Sequence, residues 1–401
     1  MPTRIILFTG KGGVGKTTCA AATARAIAQQ GKRTLVLSSD PAHSLADALD
    51  EHLSPEPVEV SENLFAQEID LYYSMQKYWG NVRQLMLTAF RWQGVEKIAA
   101  EEMAALPGMA EASALLWLEK FDEEDAYDVI IVDSAPTGET LSLLTLPQAT
   151  QWWISRALPF QKTAIKTLGF GLRKTTGIPL DKGYEELDHL FGKLQRIQEV
   201  LSDARRSSIR LVTNPECMVI REARRAYTYL QLYGYAVDAV IVNRVLPEED
   251  VGPAFKKYAA AQEQYLEEID HSFSPLPIFR VPHLGEEVFG AELLDKIASG
   301  MYGDVDPYPV LHQQKTFRIS EDGEGYTLEL HLPFLHNETF EVKQFGDQLV
   351  IQVQNQRRNF QLPNFLSYYS LGPTSLKDDW LRATFLPPQD ASLVTTEARN
   401  R

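Results

Sequence analysis

A nine-residue stretch near the start of the chain constrains its fold more than any other feature. Residues 10–18 read Gly-Lys-Gly-Gly-Val-Gly-Lys-Thr-Thr, between an apolar run at 4–9 and an alanine-rich helical pattern at 19–30. Glycines at this spacing allow backbone N–H groups to turn toward an anion, and the N-terminus of the following helix adds partial positive charge. Because the strand, the spacing and the helix are all present, the stretch predicts a phosphate-binding loop instead of an ordinary glycine-rich turn.

The polar side chains of this loop have separate expected roles. Lys16 can reach the outer phosphates of a nucleotide, the Thr17 hydroxyl can ligate magnesium, and Thr18 is expected to contact the α-phosphate. ATP and Mg²⁺ are therefore the expected ligands. The nucleotide-binding candidates in the loop are Gly10, Lys11, Gly12, Gly13, Val14, Gly15, Lys16, Thr17 and Thr18.

Short apolar runs alternate with helical patterns through the first three quarters of the chain. One of them, Val129–Val132, is apolar at every position, as in strands that are covered on both faces of a parallel sheet. The alternation predicts an α/β fold, a doubly wound and mainly parallel P-loop NTPase sheet with ligands at the carboxyl ends of its strands. The predicted strands are Arg4–Thr9, Arg33–Ser38, Leu64–Ile69, Tyr127–Asp133, Ser208–Thr213, Val237–Asn243 and Ile278–Val281.

Two acidic residues stand at the ends of predicted strands. Asp133 follows the apolar run and is the expected Walker-B carboxylate, which would hold a magnesium-bound water. A strand-end cap is the alternative for this residue. Asp40 ends the second strand, where it could orient the attacking water as a catalytic residue beside Lys16 and Lys11; an ordinary Asp-Pro turn is the alternative.

Two helical insertions, at about 72–121 and 146–201, interrupt the alternation. Apolar residues recur three or four positions apart along them, which is typical of a packing face but also of a groove for an apolar partner. The sequence leaves both readings open. The adaptable apolar side chains are Met75, Met86, Met103, Met109, Trp79, Phe90, Trp92, Trp152 and Trp153.

After Gly303 the apolar pattern changes to a period of two, which predicts strands. The proline-containing stretch that precedes the change is the expected linker. The predicted organisation is an ATPase domain at 1–303, a linker at 304–312, an all-β sandwich at 313–387 and a loose tail at 388–401.

Composition excludes several classes of protein. A formal net charge of −15 argues against a nucleic-acid partner, and no apolar stretch is long enough to cross a bilayer, so we expect no stable membrane insertion. The first strand begins close to Met1, which leaves no room for a leader peptide and favours a soluble, cytoplasmic protein. Two cysteines, Cys19 and Cys217, cannot form a four-cysteine zinc site within one chain, so no zinc is expected.

Three motifs resemble those of a known family. Lys11 in the loop, residues 40–45 (Asp-Pro-Ala-His-Ser-Leu) and residues 133–140 (Asp-Ser-Ala-Pro-Thr-Gly-Glu-Thr) are similar to the deviant phosphate loop, switch I and switch II of the arsenite-pump and tail-anchored-protein-targeting ATPases. The resemblance covers roughly residues 1–300, and Pro107-Gly108-Met109 adds to it. The switch residues that it indicates are Pro41, Ala42, His43, Ser44, Pro136, Thr137 and Gly138.

The resemblance carries further expectations. It implies that Lys11 reaches across a two-fold axis to the partner's nucleotide, so that the active enzyme is a homodimer. It also implies that Glu216 and Asn243, with Pro282, contact the nucleoside, and that the helical insertions form a groove for a transmembrane helix. Residues 346–385 resemble the α-crystallin fold of small heat-shock proteins, a fusion that resembles a branch found in cyanobacteria and plastids. The expected location is therefore the cyanobacterial cytosol, or the plastid stroma if a leader has been removed.

Some residues depart from the family pattern. Ser134 and Glu139 stand where many relatives have Thr and His, and the Cys-x-x-Cys pair that clamps zinc between subunits in eukaryotic relatives is missing. The first hypothesis is a homodimeric Mg-ATPase that captures and delivers an apolar client, a tail-anchored membrane protein. An ATP-dependent partitioning or assembly switch that recruits a soluble partner is the alternative. An arsenite pump subunit is less favoured, because it needs thiol ligands that this chain lacks.

Overall fold

The computed structural model describes residues 2–40, 44–78, 109–146, 180–247, 256–335 and 340–387. The chain divides into two compact units. The first consists of Met1–Ile220 and Asp238–His312, and the second of Arg221–Val237 and Gln313–Arg401. The second unit therefore contains a segment that lies, in sequence, between two strands of the large sheet.

The large sheet has eight strands in the order β3-β4-β2-β5-β1-β6-β7-β8. Strand β1 pairs in parallel with β5 and β6, β2 pairs in parallel with β4 and β5, and β7 pairs in parallel with β8. Strand β3 pairs antiparallel with β4. This confirms the predicted doubly wound, mainly parallel sheet. The strands are β1 (Arg4–Thr9), β2 (Thr34–Ser38), β3 (Val58–Ser61), β4 (Leu64–Glu68), β5 (Val129–Asp133), β6 (Ser207–Thr213), β7 (Val237–Val245) and β8 (Ile278–Pro282).

Burial explains why the central strands form. Every residue of β1, β2, β5 and β6 is buried, so both faces of these strands are covered. The helices of this unit are α1 (Lys16–Gln29), α2 (Ser44–Leu49), α3 (Leu71–Tyr78), α4 (Met109–Glu123), α5 (Leu180–Ser202), α7 (Lys256–Phe273) and α8 (Gly290–Tyr302). Residues 137–146 are also helical.

Helix α1 owes its packing to small residues. Five of its six alanines are buried, which lets the helix lie close to the sheet and to α8. The Arg25 guanidinium fixes this pair of helices with two bonds to the carboxylate of Asp295, at 2.7 and 2.9 Å. The helix that follows the phosphate loop is thus a rigid support.

The described ends of the two helical insertions pack against each other beside the sheet. Trp117 of α4 is fully buried, and its indole N–H donates to Ser74 Oγ of α3 at 3.0 Å. The Lys193 ammonium of α5 bonds to Glu119 of α4 at 2.6 Å. Met75 is buried in α3. The predicted lining residues Trp79, Met86, Phe90, Trp92, Met103, Trp152 and Trp153 lie outside the described residues, as does the side chain of Met109.

The segment expected to be a linker makes bonds to buried charged side chains. Arg210 donates to the carbonyl of Pro307 at 2.6 Å, and the backbone N–H of Leu311 donates to Asp238 Oδ2 at 3.2 Å. Both Arg210 and Asp238 are fully buried, and Arg4 bridges to Asp238 at 3.2 Å. Residues 307–311 are therefore fixed to the sheet by specific polar contacts.

The second unit contains two antiparallel sheets, in the orders β14-β15-β10-β9 and β11-β12-β13. Their inward side chains form one apolar core, which confirms the predicted all-β sandwich. The strands are β9 (Phe317–Asp322), β10 (Gly325–His331), β11 (Phe340–Phe345), β12 (Gln348–Val353), β13 (Gln356–Gln361), β14 (Ser370–Lys377) and β15 (Trp380–Leu386), with a short 3₁₀ turn at Leu366–Tyr368.

Helix α6 (Cys217–Tyr233) contributes most of its length to this second unit. Leu232 is fully buried in the core of the sandwich, and the Tyr233 hydroxyl donates to Gln356 Oε1 at 2.8 Å. Arg358 of β13 donates to the carbonyl of Leu232. The sandwich core is thus completed by residues that precede it by some eighty positions in the chain.

No helix in the described part of the chain is long and apolar enough to span a membrane.

Candidate nucleotide-binding site

The site lies at the carboxyl ends of the parallel strands, where the sequence places it. The strand register pairs Ser38 of β2 with both Asp133 of β5 and Glu68 of β4. Phe8 of β1 pairs with Asp133 on the other side, and the phosphate loop follows β1 directly. Polar side chains from neighbouring strands therefore meet at the edge from which the loop leaves the sheet.

The backbone of the loop is held by an amide from a distant strand. Asn243 of β7 is buried, and its Nδ2 donates to the carbonyl of Val14 at 2.8 Å. The Asn214 amide, oriented with its nitrogen toward the loop, donates to the same carbonyl at 3.2 Å. Gly15 has φ +91°, and a Cβ added there would lie 2.1 Å from Asn243 Nδ2. Glycine is therefore required at position 15 by both backbone conformation and space.

This contact gives Asn243 a role that sequence reasoning missed. The amide oxygen is also engaged, because it accepts from the backbone N–H of Arg244 at 2.9 Å. The predicted contact of Asn243 with adenine stays a prediction. What the geometry does establish is a clamp on the phosphate loop across 229 positions of sequence.

Lys16 and Thr17 begin helix α1 and point toward neighbouring site residues. The Lys16 side chain is buried, and its ammonium lies 3.5 Å from the carbonyl of Lys11, across the loop. Thr17 Oγ1 lies 3.2 Å from Ser44 Oγ at the start of α2. Lys11 is partly exposed, whereas Gly12 and Gly13 are exposed. Lys16 thus provides a buried cation where the loop enters α1, and Lys11 provides a partly exposed cation near the start of the loop.

Asp133 is the most perturbed acid of the site. Its carboxyl is fully buried, and this burial raises the pKa of Asp133 to about 6, against the opposing effects of the Thr17 hydroxyl and the Lys16 ammonium. Oδ2 accepts from Ser38 Oγ at 3.2 Å, whereas Oδ1 is buried without a hydrogen-bonding partner. A buried carboxylate oxygen with spare accepting capacity fits a water molecule of a hydrated Mg²⁺, with Thr17 as the direct ligand.

Switch I begins at the same edge. The backbone N–H of Asp40 donates to Ser38 Oγ at 3.3 Å, so Ser38 contacts both the candidate catalytic acid and Asp133. Sequence reasoning did not single out Ser38, and a serine at the end of a buried strand gives little signal. Pro41, Ala42 and His43 lie outside the described residues.

Switch II is tied to the loop and to β1 by hydroxyl groups. The Ser134 hydroxyl donates to the carbonyl of Phe8 at 2.5 Å and lies 2.8 Å from Thr140 Oγ1, which accepts from the Thr9 hydroxyl at 3.0 Å. The backbone N–H of Thr137 donates to the carbonyl of Gly10 at 3.2 Å. Serine at position 134 therefore provides a hydroxyl that links switch II to the sheet, as a threonine also could.

The remaining candidates belong to switch II and to the expected contacts with the nucleoside. Gly138 and Glu139 are exposed at the start of the helical segment 137–146, next to Pro136. Glu216 immediately precedes helix α6, and its carboxylate accepts from the Tyr258 hydroxyl at 3.4 Å. Pro282 ends β8. Glu216, Asn243 and Pro282 thus follow or lie in β6, β7 and β8, and their contact with a nucleoside stays a prediction.

The profile of the family described as "Anion-transporting ATPase" matches residues 3–303, and that of the "HSP20-like domain found in ArsA" matches residues 323–385. A protein of Chlorobaculum tepidum that carries the name of an arsenical pump-driving ATPase is 38% identical over 387 residues, 95% of this chain and 96% of the relative. One of Aquifex aeolicus with a similar name is 37% identical over 378 residues, 90% of this chain and 95% of the relative. An ASNA1 homologue of Paramecium tetraurelia is 28% identical over 294 residues, 72% of this chain and 88% of the relative.

Proposed function

This chain belongs to the anion-transporting ATPase family, and on that premise we propose that it is a homodimeric, magnesium-dependent ATP hydrolase that captures and delivers an apolar client. The proposed client class is the tail-anchored membrane protein. The observation that carries the ATPase part is the juxtaposition of a phosphate loop with the buried carboxylate of Asp133, whose Oδ1 has no hydrogen-bonding partner.

In this proposal each polar residue of the site acts at a stated atom. Thr17 Oγ1 would ligate the magnesium, and the Asp133 carboxylate would accept a hydrogen bond from one of its waters. The Lys16 ammonium, buried at the start of α1, neutralises the outer phosphates. Asp40 orients the attacking water from a strand end whose backbone is bonded to Ser38. Bound Mg²⁺ supplies charge stabilisation to the transferred phosphoryl group.

Lys11 is the basis for proposing a dimer. It is partly exposed beside two exposed glycines, and it stands where the family resemblance places a lysine that reaches the partner's nucleotide. An Lys11→Ala variant should therefore retain ATP binding and lose hydrolysis, and wild-type turnover in that variant would exclude a shared site. Sedimentation with and without ATP and Mg²⁺ measures the dimer directly.

Support for an apolar client comes from the insertions and from one relative. The described ends of the insertions, α3, α4 and α5, pack against each other beside the sheet, with α3 beginning three residues after β4 ends. The name of the Paramecium relative points to the branch of the family whose resemblance suggested this client class.

The ATPase assignment is tested with two substitutions in the site. Lys16→Ala should abolish hydrolysis, and Asp40→Asn should bind ATP but hydrolyse it slowly in a single turnover. Lys32→Ala is the matched control, because Lys32 precedes β2 at the amino-terminal ends of the strands, away from the site. Its ammonium lies 4.9 Å from the centre of the Tyr308 ring. Wild-type turnover in Lys16→Ala would exclude the assigned site, and an unchanged single-turnover rate in Asp40→Asn would remove Asp40 from the mechanism.

The client assignment is tested by co-expression with a tail-anchored protein and with the same protein lacking its transmembrane segment. Only the full-length protein should co-purify, in an ATP-dependent manner. Equal recovery of both would exclude the apolar client and favour a switch that recruits a soluble partner. Arsenite should leave the ATPase rate unchanged, because two cysteines cannot supply three thiolates from one chain, and stimulation would contradict the proposal.

A further inference from the structure

Glu68 is a buried acid at the carboxyl ends of the parallel strands, next to the candidate site, and the proposed reaction assigns it no step. It is the last residue of β4, it pairs in register with Ser38, and only 8% of its surface is exposed. A buried carboxylate must be compensated by hydrogen bonds or charge. The partners that compensate it show what the residue does.

Two of these partners belong to the helix that follows switch I. Glu68 Oε1 accepts from the backbone N–H of Leu45 at 3.1 Å and from that of Ala46 at 3.0 Å. Both amides lie in the first turn of α2, where backbone N–H groups have no partner within the helix. Bonds from such amides to a carboxylate are charge-assisted and strong. Glu68 therefore holds the start of α2 on the end of β4.

The start of α2 contacts the expected magnesium ligand. Ser44 is its first residue, and Ser44 Oγ lies 3.2 Å from Thr17 Oγ1, the expected magnesium ligand. At the other end of the same segment, the N–H of Asp40 donates to Ser38 Oγ, which in turn donates to Asp133. Switch I is thus held at both ends. Asp40 is bonded to Ser38 at the end of β2, near Asp133, and the start of α2 is bonded to Glu68 at the end of β4, near Thr17.

We propose that Glu68 is a positioning residue for ATP hydrolysis. It fixes the end of switch I that leads into α2, so that Asp40 is held where it can orient the water that attacks the γ-phosphate. This inference depends on the proposed ATPase function. In this role Glu68 acts through its bonds to the backbone amides at the start of α2. Its loss should therefore slow the chemical step more than it weakens nucleotide binding.

Glu68→Ala is the principal variant, and Glu62→Ala is its control, because Glu62 is an exposed glutamate in the turn that leads into β4. The amides of Leu45 and Ala46, followed by hydrogen exchange without nucleotide, should exchange at least about tenfold faster in Glu68→Ala. Single-turnover hydrolysis should slow by about tenfold or more, while the Kd for MgATP changes by less than about threefold. Glu62→Ala should match the wild type in all three measurements.

Glu68→Gln separates hydrogen bonding from charge and protects the test against a misfolded alanine variant. It keeps the Oε1 acceptor but not the charge, so exchange at Leu45 and Ala46, and turnover, should both lie between the values of Glu68→Ala and the wild type. Unchanged turnover in Glu68→Ala, or equal losses in turnover and MgATP binding, would overturn the proposal. If the wild type hydrolysed no ATP, the proposed function would fail, whereas the exchange measurement would still report whether Glu68 holds α2.

Discussion

Three glycines of the phosphate loop should respond differently to the same added methyl group. Gly12 has an ordinary backbone conformation, and its Cβ would lie 3.8 Å from the Pro136 ring. Gly13 has φ +80° with nothing within 4 Å of the Cβ position. Gly15 has φ +91°, and its Cβ would lie 2.1 Å from Asn243 Nδ2. The three positions therefore separate backbone strain from steric conflict.

The expected losses in free energy of unfolding follow from these geometries. Gly12→Ala should change stability by less than about 0.5 kcal/mol, as at an unstrained surface position. Gly13→Ala forces a left-handed conformation on an L-residue, which costs about 1–2 kcal/mol. Gly15→Ala adds to that strain the displacement of Asn243 from Val14, worth about 1–3 kcal/mol, so its total is about 2–5 kcal/mol.

A double-mutant cycle with Asn243→Ala isolates the steric part. Removing the amide removes the obstacle, so Gly15→Ala in that background should cost only the backbone strain, and the two changes should couple by about 1–3 kcal/mol. Urea denaturation without nucleotide, followed by circular dichroism, gives each free energy of unfolding. Additive effects, or equal losses for Gly13→Ala and Gly15→Ala, would refute the contact between Asn243 and the loop.

Three further outcomes test other parts of the structure. Burial raises the pKa of Cys19 to about 12, whereas Cys217 is partly exposed. Iodoacetamide at pH 8 should therefore alkylate Cys217 and spare Cys19, and mass spectrometry that shows both cysteines modified would contradict this. Trp117→Ala should lower the free energy of unfolding by about 3–5 kcal/mol in urea denaturation, because the indole is fully buried; a loss below about 1 kcal/mol would refute that packing. Leu232→Ala should destabilise the sandwich by about 2–5 kcal/mol, measured by calorimetry, and an unchanged transition would place Leu232 outside its core.

In the large sheet, the sequence pattern is clearest for strands that are buried on both faces. The apolar run of β5 and the β-branched run of β1 leave little choice of conformation, and their observed ends agree with the predicted ones within two residues. Strand β3 was not predicted, because its four residues alternate between partial and full exposure. Strands β9 and β14 were also missed: β9 is largely exposed, and β14 contains Gly-Pro and a shift in register.

The residues of the candidate site also differ in whether local sequence alone could place them. Lys16, Thr17 and Asp133 could be predicted because local spacing and strand ends determine where they lie. The clamp between Asn243 and Val14 could not, since nothing local in the sequence relates residues so far apart. Glu68 gave no signal either, because a glutamate at a strand end has the composition of an ordinary surface residue until its partners in α2 are known.

The position of helix α6 changes what a truncation experiment would mean. A variant that ends before residue 313 would lack the sandwich yet keep the helix whose Leu232 and Tyr233 the sandwich covers. That variant would present fresh apolar surface to water, and it would tend to aggregate or bind other proteins non-specifically. Any change in client handling after such a deletion could then be caused by the uncovered helix as well as by the loss of the sandwich itself. Substitutions on the outer face of the sandwich, which leave α6 covered, are the way to examine what the C-terminal strands contribute.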